Sequence, residues 1–411
     1  VKKEQLLHTP EGVRDIYNRE YAKKIKIERI IQDLMNSYGY QGIQTPTFEF
    51  FDIFGKEKGS VVSKEMFKLF DREGNTLVLR PDMTPSVVRC ACKYFSTEDM
   101  PVRLGYLGNT FINKSSYRGR LKESTEVGAE FIGDGGKDAD AEIVALVIEC
   151  LKGCGLSEFQ IDVGHAGFLE GLFEEAKIED TDVIEEILTL LKNKNFFALE
   201  NLLLELDLSE DIKKVFSKIQ AYTGSMEQVE EVGQHLTNEK CHKAIRRMTE
   251  LYKTMGYYGY QQYLSFDLCM VTEYRYYTGI IFNGYTYGTG DAIVSGGRYD
   301  SLMKQFGTDA PAVGFKISID NLLIALSRQN IETKTKEVKT MIVYKDAQKE
   351  VAIRLACDMR AKGEWVQVFS MAPGHELDYY LQLGKKNQIE NLLYVEPETK
   401  QIRAYALTEG K

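Results

Sequence analysis

The chain has 411 residues, 43% hydrophobic and 27% charged, with only 8 prolines, which is enough for two or three domains that each bury an apolar core. Its formal net charge of -9 and isoelectric point near 5.4 exclude a chain-wide positive field of the kind that gathers polyanionic nucleic acid. Low-complexity tracts, internal repeats and apolar runs of about 20 residues are all missing, and residues 1–8 lack the apolar stretch of a signal peptide, so a cytoplasmic protein is expected. The seven cysteines are odd in number and scattered, which fits reduced core thiols. Neither Cys90/Cys92 nor Cys150/Cys154 has a matching second pair, so no metal site or other cofactor is expected.

In chain order, residues 19–38 predict an amphipathic helix with Tyr21, Ile25, Leu34, Met35 and Tyr38 on a wide stripe that includes Ile27, Ile30 and Ile31, stopped by Gly39. Gly42 to Pro46 reads as a short strand. Residues 138–154 predict a second core helix with Asp140 as its N-cap and Ile143, Val144, Val147, Ile148 and Leu151 at helical spacing. β-rich stretches at 102–106, 125–132, 159–163, 263–270, 280–287, 292–294 and 312–315 supply one large, mostly antiparallel sheet. Residues from about 170 to 255 are patterned as helix throughout, an inserted helical subdomain. The polar run 329–339 reads as a linker, and the β-α-β alternation of 340–411 as a small separate α/β domain.

Local motifs carry the function. Thr9-Pro-Glu-Gly-Val-Arg-Asp15, Tyr38-Gly-Tyr40, Leu79-Arg-Pro-Asp-Met-Thr84, Tyr276-Tyr-Thr-Gly279, Ser295-Gly-Gly-Arg-Tyr-Asp300 and Ala312-Val-Gly-Phe315 follow one another in an order and spacing that resemble the signature segments of class II histidyl-tRNA synthetases. The resemblance covers residues 8 to 328. It implies an α+β class II aminoacyl-tRNA synthetase-like core, an antiparallel sheet flanked by helices, at 1–328, with the 340–411 unit similar to a shortened anticodon-binding domain. It also implies a histidine pocket formed by Asp82, Thr84, Tyr276, Tyr277 and the backbone near Gly297, with Glu126 and Glu130 facing the ligand. Taken without the ordered series, Arg80 and Asp82 equally suit a salt bridge, and the tyrosines equally suit strand packing.

Adenylate formation brings a carboxylate onto the α-phosphate of ATP, so fixed cations are needed to hold the gathering negative charge. Against the synthetase pattern, this chain places Ile112 where an arginine grips the α-phosphate and Lys114 where a glutamate recognises adenine. Thr272 stands at the catalytic arginine of the histidine-specific segment, and Asn321 at the arginine of the third signature. Loss of one such donor commonly lowers a rate by about 10²–10³, so synthetase chemistry is not expected. Glu126 replaces a glutamine of the synthetases, so the pocket has gained an acid and lost a cation.

A body with an amino-acid pocket and a dismantled ATP site resembles the family of ATP phosphoribosyltransferase regulatory subunits, and Ile161-Asp-Val-Gly-His-Ala-Gly-Phe-Leu169 is similar to a segment of that family. The resemblance implies a non-catalytic partner of the short-form catalytic subunit. It implies a hetero-octamer, built on a possible homodimer core, with histidine as effector, and tRNA is not an expected ligand. The competing readings are a histidyl-tRNA synthetase and a synthetase-like tRNA-sensing module. Trp365, the single tryptophan, is expected to pack in the tail domain.

Overall fold

The structure, a computed structural model, describes residues 7–55, 61–114, 121–221, 223–271, 276–399 and 401–407. The chain divides into two compact units, Val1–Thr333 and Lys334–Lys411.

The strands of the larger unit are β1 (Gln41–Ile43), β2 (Phe48–Phe50), β3 (Lys68–Phe70), β4 (Thr76–Leu79), β5 (Val102–Phe111), β6 (Glu123–Ile132), β7 (Phe159–His165), β8 (Thr223–Gly224), β9 (Leu264–Asp267), β10 (Ile280–Thr286), β11 (Val294–Arg298) and β12 (Ala312–Ser318). Its helices are α1 (Asn18–Ser37), α2 (Thr84–Tyr94), α3 (Lys137–Gly153), α4 (Ala166–Glu175), α5 (Thr181–Lys192), α6 (Phe196–Glu205), α7 (Glu210–Ala221), α8 (Met226–Gly233), α9 (Glu239–Tyr258) and α10 (Ile319–Arg328). Among the described residues nine strands form one sheet in the order β1-β5-β6-β12-β11-β10-β7-β9-β8, and β2-β4-β3 form a small second sheet. The large sheet is antiparallel through its centre, from β5 to β7, with parallel pairing only at β1–β5 and β7–β9.

Because side chains alternate across a strand, each central strand serves two layers. Val127, Ala129 and Phe131 of β6 and Val313, Phe315 and Ile317 of β12 enter the main core, against Ile27, Ile31 and Met35 of α1 and Val144, Ile148 and Leu151 of α3. The opposite face of the same sheet carries Leu104, Tyr106, Ile132 and Ala312, which pack with Met83, Val87, Tyr276 and Tyr299 in a separate cluster. The site lies on that second face.

Several local expectations shift. The buried seam of α1 is Ile27–Ile31–Met35, while Tyr21 lies exposed. Asp140 does not cap α3, whose N-cap is Gly136. It sits inside the helix, 1% exposed, with carboxylate oxygens 2.7 Å from the Arg298 guanidinium and 2.6 Å from that of Arg247. The stretch patterned as continuous helix contains β8, which joins the edge of the large sheet, and Ile187, Leu199, Val215 and Met248 from its helices belong to the main core.

In the smaller unit, β13 (Thr340–Tyr344), β14 (Val366–Ser370), β15 (Asn391–Val395) and β16 (Ile402–Ala406) pair in the order β14-β13-β15-β16, with α11 (Lys349–Ala361) and α12 (Leu377–Lys386) as the connecting helices. The first three strands are parallel and β16 closes antiparallel. Met341 and Val343 face one cluster and Ile342 and Tyr344 the other, the continuous apolar run of a strand covered on both sides. Trp365 is not packed away but half-exposed, its ring 5.2 Å from the Lys336 ammonium.

Candidate functional site

The site is assembled from the loop before α2, the face of β6, β11 and β12 opposite the main core, and the segment before β10. Arg80 does not pair with Asp82. Its guanidinium donates to the carbonyls of Asn109 and Thr45, both at 2.8 Å, and of Pro46 at 3.2 Å, so it clamps the loop that carries Asp82 and Thr84. Pro85 starts α2 where a missing N–H costs nothing, and Asp82 lies at the positive end of that helix. Asp82, 1% exposed, accepts from the Tyr276 hydroxyl at 3.2 Å and the Thr84 amide at 3.5 Å.

Glu126, Gly128 and Glu130 alternate with the core residues of β6 and face the site. Glu130 lies 2.8 Å from the Thr84 hydroxyl and 2.5 Å from that of Tyr299, and burial pushes its carboxyl up to about 8. Gly314, directly opposite on β12, leaves the space that this carboxyl occupies, since a Cβ there would overlap Glu130. Gly297 likewise lets the Tyr277 ring lie against the backbone, where a Cβ would approach it to 2.8 Å. Tyr276 stacks edge-on with Tyr277 and Tyr299, at centroid distances of 5.0 and 5.8 Å. Asp82, Thr84, Glu126, Glu130, Tyr276, Tyr277 and Gly297 thus converge on one face of the sheet.

Three participants were not foreseen from the sequence. Lys316 of β12 places its ammonium 2.7 Å from Glu126 and 3.9 Å from Asp82, so the acid gained at Glu126 meets a cation after all. Burial raises the Glu126 carboxyl, and Lys316 works against that rise. Tyr299 holds Glu130, and Tyr106 donates to the Phe315 carbonyl at 3.3 Å beneath the site. The available signal for Lys316 was its place in the otherwise apolar Ala312-Val-Gly-Phe-Lys-Ile317. Arg298 of the Gly-Gly-Arg-Tyr-Asp motif turns away to Asp140 and tethers β11 to α3.

A neighbouring cavity of about 600 Å³ collects Ile112, Lys114, Asp320 and Asn321 with Ser124, Ser318 and Arg328. The Ile112 side chain offers no donor, the Lys114 ammonium lies 3.9 Å from Glu65, and the Asn321 amide is turned to the Ala292 carbonyl at 3.1 Å. Arg328 at its rim donates to the Gly288 carbonyl at 2.6 Å. Thr272 and Arg275 lie outside the described residues, as do Arg118, Gly119 and Arg120. His165 serves the fold, because its ring accepts the Gly167 amide at 3.1 Å and caps α4, and burial, with Arg247 and Lys243 nearby, lowers it to about 4. No group of histidine, cysteine, aspartate and glutamate side chains that could hold a metal occurs among the described residues. No helix there is long and apolar enough to cross a membrane.

Chemically the site gathers the carboxylates of Asp82, Glu126 and Glu130, the hydroxyls of Tyr106, Tyr276 and Tyr299, and the Lys316 ammonium on one face of the sheet. That set suits a small ligand rich in N–H groups.

A family model described as histidyl-tRNA synthetase matches residues 12–322. A histidyl-tRNA synthetase from Nostoc superposes with a TM-score of 0.79 at 17% identity, covering 97% of each chain, a likeness of fold alone. Fold and family model therefore define a histidyl-tRNA synthetase-like protein. The ATP phosphoribosyltransferase regulatory subunit of Acetivibrio thermocellus is 36% identical over 88% of this chain and 86% of its own length, and that of Ruminiclostridium cellulolyticum is 34% identical over 96% and 93%. A Bacillus halodurans structure described as an ATP phosphoribosyltransferase regulatory subunit/histidyl-tRNA synthetase superposes with a TM-score of 0.85 at 32% identity, covering 95% of this chain and 98% of that one. The chain belongs to the family of ATP phosphoribosyltransferase regulatory subunits.

Proposed function

We propose that this protein activates the short-form catalytic subunit of ATP phosphoribosyltransferase and carries histidine feedback to it, without performing chemistry of its own. Catalysis, the joining of ATP to phosphoribosyl pyrophosphate, belongs to the partner, and the working assembly is a hetero-octamer. Histidine is the ligand of the pocket around Asp82, Glu126, Glu130 and Tyr276.

One observation supports this reading: the hydrogen-bonded cluster of Asp82, Thr84, Glu130 and Tyr276 stands beside a cavity lined by Ile112, Lys114 and Asn321, at positions where the resemblance expects the ATP-binding residues of a synthetase. Binding energy for an amino acid then drives no adenylate formation and is left to bias a conformational or assembly equilibrium. The small unit, with its two-sided core, is read as a shortened relative of an anticodon-binding domain.

The test measures phosphoribosyl-ATP formation by a short-form catalytic subunit alone, with this chain, and with this chain plus histidine, alongside ATP–pyrophosphate exchange. Activation that histidine suppresses, with no exchange, is expected. Histidine-dependent exchange without activation would return the protein to the synthetases.

A further inference from the structure

The face of the large sheet that carries Lys316 continues across β11 and β10 to β7, where Ser295, Asn283 and Asp162 stand in register with it. Gln160 and Tyr285 pair two residues further along the same two strands and share that face, while Ile161, Val163, Ile280 and Phe282 point to the main core. Leu191 and Lys192 at the end of α5, and Lys194 in the turn after it, border this part of the sheet across a cavity of about 800 Å³. A sheet face covered only for packing would carry apolar side chains, which fill such a space without desolvation cost. Here it carries an acid, two amides and a phenol.

The acids lie deeper than the cations. Asp162 and Asp267, the last residue of β9, are half-buried, whereas Lys192 and Lys194 are exposed. Asp267 holds the Cys269 amide at 2.8 Å and Asp162 the Gln160 side-chain amide at 2.6 Å, which leaves each carboxylate further lone pairs. Burial and the neighbouring Asp162 raise the Asp267 carboxyl, and Lys194 works against that rise, so all three charges meet in one cavity. Asn283 turns an amide donor to the Met270 sulfur, a weak acceptor 3.9 Å away. Tyr285 and Tyr287, 39% and 78% exposed, also line the cavity, and exposed rings of this kind are stacking platforms for a planar ligand.

We propose that this cavity binds a guanine nucleotide, the N1–H and 2-amino groups of the base donating to Asp162 and Asp267, the ring lying against the exposed tyrosines and the phosphate at Lys192 and Lys194. Each part of the lining removes a competing class. A polyamine meets two lysines, inorganic phosphate meets two carboxylates, and a purely apolar ligand leaves both acids without donors. Among purines, guanine presents adjacent N–H donors on one edge, the complement of a carboxylate, whereas adenine places an acceptor nitrogen beside its amino group. The site shares only Gly290 with the cavity around Ile112 and Asn321 and takes no residue from the histidine pocket, so it stands or falls separately from the regulatory reading.

Calorimetric titration of the full chain with GMP, guanosine, IMP and AMP tests this. GMP is expected to bind about 3–10-fold more tightly than guanosine, the effect of exposed lysines on a phosphate. It should bind about 10–100-fold more tightly than AMP, with IMP, which keeps the N1–H and lacks the amino group, between the two. Lys192→Met combined with Lys194→Met is expected to bring GMP to the affinity of guanosine and leave guanosine unchanged. Asp267→Asn supplies an amide donor and should shift the preference from GMP towards AMP by about tenfold. Lys114→Met, at the neighbouring cavity, should leave the GMP affinity within about twofold. Absence of GMP binding at millimolar concentration, equal affinities for GMP and AMP, or loss of the phosphate preference in Lys114→Met and not in the lysine pair would overturn the proposal.

Discussion

Glu130 offers a direct test of how the site is built. Its carboxyl is fully enclosed, held by the hydroxyls of Thr84 and Tyr299, and burial pushes it from an ordinary value near 4.5 up to about 8. A carboxyl raised by folding binds its proton more tightly in the native state than in the unfolded chain. The stability this contributes is therefore complete below about pH 4.5 and is lost as the pH climbs through 8. One pK unit corresponds to about 1.4 kcal/mol, so the full window is worth at most about 5 kcal/mol, with unfolding free energy falling by up to about 1.4 kcal/mol per pH unit. Glu130→Gln keeps the shape and lets the amide donate to one hydroxyl and accept from the other, but it cannot ionise. Urea unfolding followed by circular dichroism from about pH 5.5 to 8.5 is expected to show the variant losing ground less steeply than the native protein, the two curves converging or crossing near the upper end. Parallel profiles across that window would refute the reasoning and place an ordinary, solvated carboxylate at Glu130.

The ion triad gives a second handle. Asp140→Ala strips the 5%-exposed Arg298 side chain of its buried carboxylate and leaves it only the exposed Asp300 at 3.2 Å, and a loss of about 3 kcal/mol in urea unfolding is expected. Gly314→Ala drives a methyl group into the Glu130 carboxyl and to 2.8 Å from the Ala129 carbonyl, so a loss of about 1–3 kcal/mol is expected together with weakened histidine binding in calorimetry. His165→Ala removes the α4 cap and should cost about 1 kcal/mol. Because folding lowers His165 from an ordinary value near 6.5 to about 4, the unfolded chain takes up the proton first, so that cost should be full near pH 8 and shrink by about 0.8 kcal/mol by pH 6 in the same unfolding assay.

Much of the architecture was legible as local pattern. The seam of α1, the run of α3 and the strands β5, β6, β10, β12 and β15 all announce themselves by spacing, because a helix or strand selects apolar residues at its own period wherever one side faces a core. The ends were less legible: β5 and β12 continue past the predicted residues, since pairing with a neighbouring strand extends them through sequence that carries no β signal of its own. β8 went unseen for the same reason, as two residues inside a helical stretch become a strand only because β9 is there to pair with them.

The ordered motifs determined the family, and the residue types at 112 and 321 determined what those positions can offer, since an isoleucine or an asparagine cannot carry a positive charge in any fold. Tertiary structure alone decided the partnerships. Asp140 looks like a cap in sequence and is the buried counter-ion of Arg298, Arg80 looks like the partner of Asp82 and is a clamp on three carbonyls, and Lys316 looks like a stray charge on a strand and neutralises Glu126 from 190 residues away in the chain. Spacing within a segment reports the face on which a side chain stands. What waits on that face comes from distant strands and helices, and Coulomb attraction and hydrogen bonding act only once packing has brought them within a few ångströms.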